Sequence, residues 1–117
     1  MSIEIDIAHH GGDWPQGAER FVHDAISATL AHQQINEGEV SIVFCDDAFI
    51  QNLNAQYRDK DKATNVLSFP NTTPLLGDII LAYETIAREC EEQDKTFKDH
   101  LTHLSVHGCL HLLGFDH

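Results

Sequence analysis

Apolar and polar residues follow regular patterns in the first half of the chain, and the patterns predict a strand, a helix and a second strand. Isoleucines at positions 3, 5 and 7 alternate with acidic residues, which is typical of a half-exposed strand. Beyond Gly11 and Gly12, apolar residues recur at helical spacing from position 18 to position 30, and Pro15 sits where a helix would begin. Residues 40–45 are mostly β-branched or apolar and predict an inner strand.

The second half of the chain contains further predicted helices and strands. Asp46 or Asp47 can cap a helix whose residues Phe49, Ile50 and Leu53 face inward. Short apolar runs predict strands at 66–69 and 79–81, with a turn at 71–74 between them and a helix at 84–93 after them. A capping box at 96–99 opens a last helix, which runs to about residue 113.

The order of these elements predicts an α+β fold. Strands and helices are interspersed, and no repeat, low-complexity tract or linker divides the chain. We therefore expect one domain over residues 1–117, built as a single mixed β-sheet of about four strands with helices packed on it.

Composition indicates a globular protein of a reducing compartment. Hydrophobic residues make up 42% of the chain, but no apolar run approaches the roughly 20 residues that span a bilayer. The N-terminus lacks the basic and apolar stretches of a secretory signal. Cys45, Cys90 and Cys109 are odd in number and widely spaced, so we expect buried free thiols, a cytoplasmic location and no membrane partner.

The charge balance argues against broad, nonspecific binding to nucleic acid. The formal net charge is −12, whereas such binding depends on the neutralisation of phosphates by basic residues. Three of the seven basic residues, Arg58, Lys60 and Lys62, nevertheless lie within five positions of one another. If this charged segment is extended, the three side chains share one face, and they form a local basic strip for a phosphate backbone.

Histidines are concentrated at the C-terminal end of the chain. Of nine histidines, five fall in the last 18 residues. His107 and His111 lie one helical turn apart, within about 40° of each other, so both can bind one metal ion. Gly114 can adopt a left-handed conformation that ends the helix and brings His117 to the same ion. Three neutral imidazoles suit one Zn²⁺ per chain and leave a position open for water, as in catalytic zinc sites.

The spacing H-x-x-x-H-x-x-G-x-x-H equals that of the metzincin peptidases, and the predicted metal helix is therefore zincin-like. Those enzymes carry a glutamate after the first histidine as general base, whereas this chain has Gly108. The cage of ligands is peptidase-like, but the proteolytic base is missing. His103, one turn before His107, is a candidate for contact with substrate or with a ligand, and a solvated or hydrogen-bonded histidine is the equal alternative.

Two long motifs and a shorter one resemble the YbeY family of bacterial rRNA maturation factors. Residues 107–117 resemble the family's HGxLHLxGxDH signature. Residues 53–70 resemble LNxxYRxKDxxTNVLSFP, and residues 76–79 resemble LGDI. The resemblance covers residues 40–117 well, while the first 38 residues match only in general pattern.

The resemblance implies an α+β fold, a zinc ion on the three histidines and single-strand-specific endoribonuclease activity. It also implies a role in rRNA maturation, particularly at the small-subunit 3′ end, and in ribosome quality control. The family's essential arginine falls on Arg58, which would be catalytic, and Lys60, Lys62 and His103 are the candidates for substrate binding. The expected partners are precursor rRNA and the ribosome, with a ribosomal protein or a ribosome-associated GTPase as a candidate protein partner.

The sequence departs from the family pattern in several places. Phe115 stands where tyrosine is usual, Ala63 replaces a frequent proline, and the loop between Pro70 and Leu75 is short. The sequence ends at His117, so the acidic helical tail of family members is expected to be absent.

Several points of mechanism stay open at the level of sequence. Asp78 and Asp116 are both candidates for the general base, and either water or the RNA 2′-hydroxyl can be the nucleophile. A metallopeptidase-like hydrolase and a non-catalytic ribosome assembly protein with structural zinc are the alternative functions.

Overall fold

The computed structural model describes residues 2–72 and 75–115, and it confirms the α+β prediction. Four strands and four helices are interspersed along the described chain. In chain order these elements are β1 (Ile3–His10), α1 (Ala18–His32), β2 (Gly38–Cys45), α2 (Asp47–Arg58), β3 (Val66–Pro70), β4 (Leu75–Ala82), α3 (Tyr83–Gln93) and α4 (Phe97–Leu112).

The four strands form one mixed sheet in the order β1-β2-β4-β3. β1, β2 and β4 run parallel, and β3 pairs with β4 in the antiparallel direction. The strand that precedes β4 in the chain therefore lies at the edge of the sheet, and α1 and α2 provide the connections that parallel neighbours require.

The two faces of the sheet are covered unequally. Alternate residues of the inner strands point toward α1, α3 and α4, and they form the larger hydrophobic core with those helices. The intervening residues, such as Leu67, Ile80 and Ala82, point to the other face and pack against Ile50 of α2. α4 thus lies on one face of the sheet and α2 on the other, with β3 at the edge between them.

Carboxylates join the beginnings of α2 and α3. Asp46 caps α2, as predicted, but α3 begins after Ala82, which has no capping side chain. The Asp47 carboxylate supplies that cap from α2, because it accepts hydrogen bonds from the backbone N–H and the hydroxyl of Thr85 at 3.0 and 2.8 Å. Glu84 accepts in return from the backbone N–H of Asp47 at 2.7 Å. Each helix start therefore satisfies orphan donors of the other.

Two predicted helix boundaries are wrong, and β4 begins at Leu75 rather than at residue 79. α1 begins at Ala18, three residues after Pro15, because Gly17 adopts a left-handed conformation at φ 91° and forms the cap. α2 continues to Arg58 and ends where Asp59 becomes left-handed at φ 56°. Arg58, which the sequence assigned to a charged, extended segment, is therefore helical.

The three thiols are buried and free, as the sequence predicted. Burial raises the pKa of Cys45 to about 12, and the neighbouring carboxylates of Asp46, Glu84 and Asp47 add to the effect. Burial alone raises the pKa of Cys109 to about 11. No helix in the described ranges has both the length and the apolar character needed to cross a membrane.

Candidate functional site

Helix α4 carries the two described members of the predicted metal site. The ring centroids of His107 and His111 lie 5.3 Å apart, and the rings are tilted by 42°. His103 lies one turn earlier, with its ring 6.5 Å from that of His107. His107 and His111 are half-buried, while His103 is exposed. The helical spacing therefore places two imidazoles next to each other on one face of α4, one turn apart.

The turn that the sequence predicted after α4 is present. Gly114 has φ 94°, and its backbone N–H donates to the carbonyl of His111 at 3.1 Å. The N–H of Phe115 donates to the carbonyl of Leu110 at 3.1 Å. Together these bonds form a Schellman motif, which reverses the chain direction at the helix end. His117 and Asp116 lie outside the described residues.

Gly108 lies where α4 packs closely against β3 and β4. A Cβ atom built on Gly108 would meet Ile79 Cγ2 and Ser68 Oγ, each at 3.1 Å. The Ser68 hydroxyl also donates to the Gly108 carbonyl at 3.4 Å. A glutamate at this position would require Ile79 and Ser68 to shift, so close packing between helix and sheet disfavours the peptidase base here.

Arg58, the last residue of α2, reaches across the edge of the sheet. Its Nη2 donates to the backbone carbonyl of Ser68 in β3 at 3.1 Å. The guanidinium carbon also lies 5.6 Å from the centroid of the Phe69 ring, within the range of a cation–π contact. These two contacts orient the guanidinium at the point where α2 meets β3.

A small cavity brings Arg58 together with the two histidines. The cavity has a volume of about 90 Å³ and is lined by Arg58, Val66, Leu67, Ser68, His107 and His111. Its walls therefore come from α2, from the next element β3, and from α4, which lies about 40 residues further along the chain. A positively charged side chain and two histidines, a residue type that binds metals, therefore share this cavity.

The backbone of β3 adds donors to this cavity. Ala82 donates to the carbonyl of Asn65, and Asn71 donates to the carbonyl of Leu76, so the odd-numbered peptide groups of β3 face β4. In an antiparallel pair the even-numbered groups then face outward. The N–H groups of Val66 and Ser68 therefore point to the open edge, and the Ser68 carbonyl is the one that Arg58 contacts.

The other predicted site residues are placed less centrally. Lys60 and Lys62 are exposed, and the N–H of Lys62 donates to the carbonyl of Lys60 at 2.9 Å. This bond closes a tight turn. The prediction of one extended basic strip is therefore wrong, because Arg58 is helical and the two lysines follow a left-handed Asp59.

Asp78, one candidate for the general base, lies on the other side of the sheet. Asp78 and Ile80 are two residues apart in β4, so their side chains point to the same face, and Ile80 packs in the smaller core on the α2 face. Alternating side chains place it away from α4. The described residues that line the histidine cavity do not include Asp78.

Sequence reasoning missed a buried polar chain behind β3. His100 of α4 is 4% exposed, and its Nε2 lies 2.8 Å from Glu89 Oε1 of α3. The same carboxylate oxygen accepts from the side-chain amide of Asn65 at 2.9 Å. Through Glu89, these contacts link α4 to Asn65, the residue before β3. Asn65 lies inside a motif of the family resemblance, and that was its one signal in the sequence.

The described residues hold two of the three predicted metal ligands. Within residues 2–72 and 75–115, no group of three histidine, cysteine, aspartate or glutamate side chains could hold a metal ion. The donor chemistry of the pair still fits zinc, since His107 and His111 present adjacent imidazoles to one cavity. The third ligand is predicted at His117.

Comparisons with known proteins agree on one family. The profile of a family described as "Endoribonuclease YbeY" matches residues 6–117. Curated proteins named "Endoribonuclease YbeY" are similar over the whole chain: 59% identity to that of Methylocella silvestris and 62% to that of Rhizobium etli. The matches cover 100% of this chain in both cases, and 72% and 78% of the relatives' lengths. A relative from Parvibaculum lavamentivorans is 45% identical over 98% of the chain and 71% of its own length.

The fold also resembles a solved structure. The solution structure of TM1509 from Thermotoga maritima superimposes with a TM-score of 0.69 at 26% identity. The match covers 97% of this chain and 74% of that protein. The arrangement of sheet and helices is therefore one that has been observed in an experimental structure.

Proposed function

The chain belongs to the YbeY family of endoribonucleases, and we propose that it cleaves single-stranded RNA with a zinc ion held by His107, His111 and His117. Family membership identifies the protein as a nuclease whose substrate class is RNA. The zinc dependence, the ligand set and the roles of individual residues are our proposal.

The observation that carries the proposal is the cavity shared by Arg58, His107 and His111. A volume of about 90 Å³ suits a small group such as a phosphoryl group rather than a whole nucleotide. The cavity opens at the edge of β3, so an extended chain can pass it without entering the protein. An RNA backbone running along this edge would place one phosphodiester between the guanidinium and the two imidazoles.

Arg58 would bind and orient that phosphodiester. A guanidinium offers several N–H donors in a planar fork, and Arg58 uses one of them on the Ser68 carbonyl. The remaining donors can contact phosphate oxygens and stabilise the charge that develops on them during cleavage. The outward N–H groups of Val66 and Ser68 can donate to neighbouring phosphate oxygens in the same way.

A zinc ion, when bound, would polarise a phosphoryl oxygen or lower the pKa of its bound water. Contacts within the chain would position the proposed zinc ligands relative to Arg58. The Ser68 hydroxyl joins β3 to the Gly108 carbonyl of α4, and the Schellman motif at Gly114 turns the chain at the end of that helix. The tight packing at Gly108 disfavours the peptidase alternative, since the Cβ of the glutamate that such enzymes use would lie 3.1 Å from atoms of Ile79 and Ser68.

The biological setting is part of the proposal. We propose that the RNA is precursor rRNA at the small-subunit 3′ end, and that cleavage serves ribosome maturation and quality control. Three free thiols fit a reducing cytoplasm. A ribosomal protein or a ribosome-associated GTPase would bring this acidic protein to its RNA, since a net charge of −12 gives little general attraction to phosphate.

Metal analysis combined with a cleavage assay tests the proposal. We expect about one zinc per chain in the wild type, and cleavage of single-stranded RNA that a chelator abolishes and zinc restores. The His111→Ala variant should lose most of its zinc and its cleavage. His32→Ala is the matched control, because His32 is an exposed histidine in the last turn of α1, and it should retain both.

Two results would contradict the proposal. Full zinc content in His111→Ala would overturn the ligand assignment. A wild type that binds zinc but never cleaves RNA, in preparations shown to be free of other nucleases, would instead support the assembly protein with structural zinc.

A further inference from the structure

A second cavity lies on the opposite face of the sheet, beneath α2. It has a volume of about 360 Å³. Its walls are mainly apolar and include Val43, Leu53, Phe69 and Ile80. A cavity of several hundred Å³ with apolar walls is typical of sites that bind small organic groups.

One carboxylate enters this apolar cavity. Asp78 lines it from β4, between the β2 residue Ser41 and the β3 residue Phe69 in the strand register. Of the described residues that line the cavity, Asp78 is the one with a charged side chain. Among apolar walls, a carboxylate provides a directional hydrogen-bond acceptor.

The cavity is adjacent to the arginine of the candidate active site. Phe69 forms part of the cavity wall, and the Arg58 guanidinium carbon lies over its ring, 5.6 Å from the centroid. Tyr57, the residue before Arg58, meets the Phe69 ring edge-to-face at 5.6 Å and is 61% exposed. The mouth of the cavity therefore carries an exposed aromatic ring beside the proposed phosphate contact.

We propose that this cavity binds one nucleobase of the RNA and selects bases that carry an exocyclic amino group. The proposal rests on the function proposed above, because it assumes that Arg58 holds a phosphate of the same RNA strand. A nucleotide next to the phosphate at Arg58 would turn its base over Phe69 and into the cavity under α2.

The walls and the carboxylate together fit a base better than any other part of RNA. Bases stack on aromatic rings whatever their identity, which the rings of Tyr57 and Phe69 permit. The amino groups of cytosine, adenine and guanine can donate to the Asp78 carboxylate. Uracil has no amino group, and its single donor on that edge, N3–H, lies between two carbonyl oxygens that the carboxylate repels. Phosphates are repelled as well, so they remain on the Arg58 side of β3.

Such a subsite also fits the acidic net charge of the protein and the single-strand preference proposed above, which a phosphate site alone does not explain. A protein with net charge −12 gains little from phosphate contacts, and stacking in a cavity supplies affinity that does not depend on charge. A base in a duplex is stacked and paired, so it cannot enter the cavity without extra cost. The subsite therefore favours single-stranded RNA.

Binding of short RNAs tests the base preference directly. The probes are fluorescently labelled oligocytidylate and oligouridylate of equal length, titrated by anisotropy with metal-free protein so that no cleavage occurs. We expect the wild type to bind oligocytidylate about tenfold more tightly, in the range of a specific base contact. The Asp78→Asn variant should lose the preference to within about twofold, because an amide can both donate and accept.

Asp6→Asn is the matched control. It removes the same charge from the same face of the sheet, but Asp6 lies in β1, two strands from Asp78 and outside this cavity. The control should keep the wild-type preference. Circular dichroism and thermal unfolding of both variants establish that they fold.

A second measurement locates the binding. Titration of cytidine monophosphate into isotope-labelled protein should shift the NMR resonances of Tyr57, Phe69 and Ile80 more than uridine monophosphate does. Shifts confined to other parts of the chain would overturn the subsite. Displacement of the labelled RNA by an oligolysine peptide that shifts the same three resonances would assign the cavity to a basic protein segment instead.

The failure of this inference can be distinguished from the failure of the proposed function. If the wild type cleaves RNA with zinc but binds the two oligonucleotides equally, the subsite is wrong and the proposed function stands. If the cytidine preference is present but no cleavage occurs with zinc, the subsite stands and the proposed catalytic function is wrong.

Discussion

The two edges of the sheet differ in length, charge and neighbours. β1 forms one edge with eight residues, and its outward side chains include Glu4 and Asp6. β3 forms the other edge with five residues and ends at Pro70. Arg58 covers part of the β3 edge, and α4 packs beside it. No comparable contact from a basic side chain covers the β1 edge among the residues that the structure describes.

The difference shows two ways in which a sheet can deal with an open edge. An open edge exposes backbone donors and acceptors that can pair with another chain. At β1 the outward-facing carboxylates oppose such pairing. At β3 the strand is short, and its exposed groups lie beside Arg58 and the histidines, where they can contact substrate. One edge is therefore protected by charge, and the other is used by the candidate site.

Removal of an arginine near each edge should give the largest difference in the rate of RNA cleavage. Arg58→Ala should reduce RNA cleavage by roughly 100- to 1,000-fold, as expected when a group that stabilises transition-state charge is lost. Arg20→Ala, an exposed arginine of α1 near β1, should change cleavage by less than about twofold. Initial rates at saturating zinc measure both. Equal rates for wild type and Arg58→Ala would remove the functional distinction between the edges.

Gly108 within α4 and Gly114 just after it should separate the effect of packing from that of backbone conformation. Gly108→Val should destabilise the fold by about 1–3 kcal/mol, because new methyl groups meet Ile79 and Ser68. Gly114→Ala should cost about 1 kcal/mol, since no atom lies within 4 Å of its added Cβ and φ 94° alone is strained. Denaturant unfolding measures both free energies. A smaller loss in Gly108→Val than in Gly114→Ala would show that α4 does not pack tightly on β3.

Neutralisation of the β1 edge should have the smallest effect on stability. A hydrogen bond with Glu4 raises the pKa of Glu39, and burial and the charges of Glu4 and Asp6 add to the effect. The double variant Glu4→Thr with Asp6→Thr should return this pKa to its ordinary range and leave the unfolding midpoint nearly unchanged. It should also promote self-association, because the edge loses its repulsive charges. NMR titration of Glu39 and size-exclusion chromatography test these outcomes, and a monomer at high concentration would argue against protection by charge.

The sequence predicted the elements well because their signals are local. All eight helices and strands appear in the predicted order, and hydrophobic spacing or a capping residue marks most of their ends. The left-handed Gly114 was also predictable, since a glycine after a helical pattern favours that conformation. The end of α2 was wrong because charged residues at 58–62 carry no periodic signal, and the helix continues to Arg58.

The parts of the site that the sequence did not predict depend on contacts between distant segments. The strand order places β3 at the edge, and this order follows from packing rather than from any local pattern. The contact of Arg58 with Ser68 uses a backbone oxygen, and backbone atoms leave no mark in a sequence. The close approach at Gly108 is similar, because the sequence showed that glutamate is missing but not that Ile79 and Ser68 crowd the position of its Cβ.

The contact between Arg58 and Ser68 has a consequence for how the protein can change in evolution. Every amino acid at position 68 supplies a carbonyl oxygen, so a substitution there does not remove the partner of the guanidinium. Successive carbonyls of a strand point to opposite sides. An insertion or deletion of one residue in β3 would therefore turn the carbonyl next to Arg58 toward β4. The arginine contact should therefore tolerate substitutions in β3 and be sensitive to changes in its length.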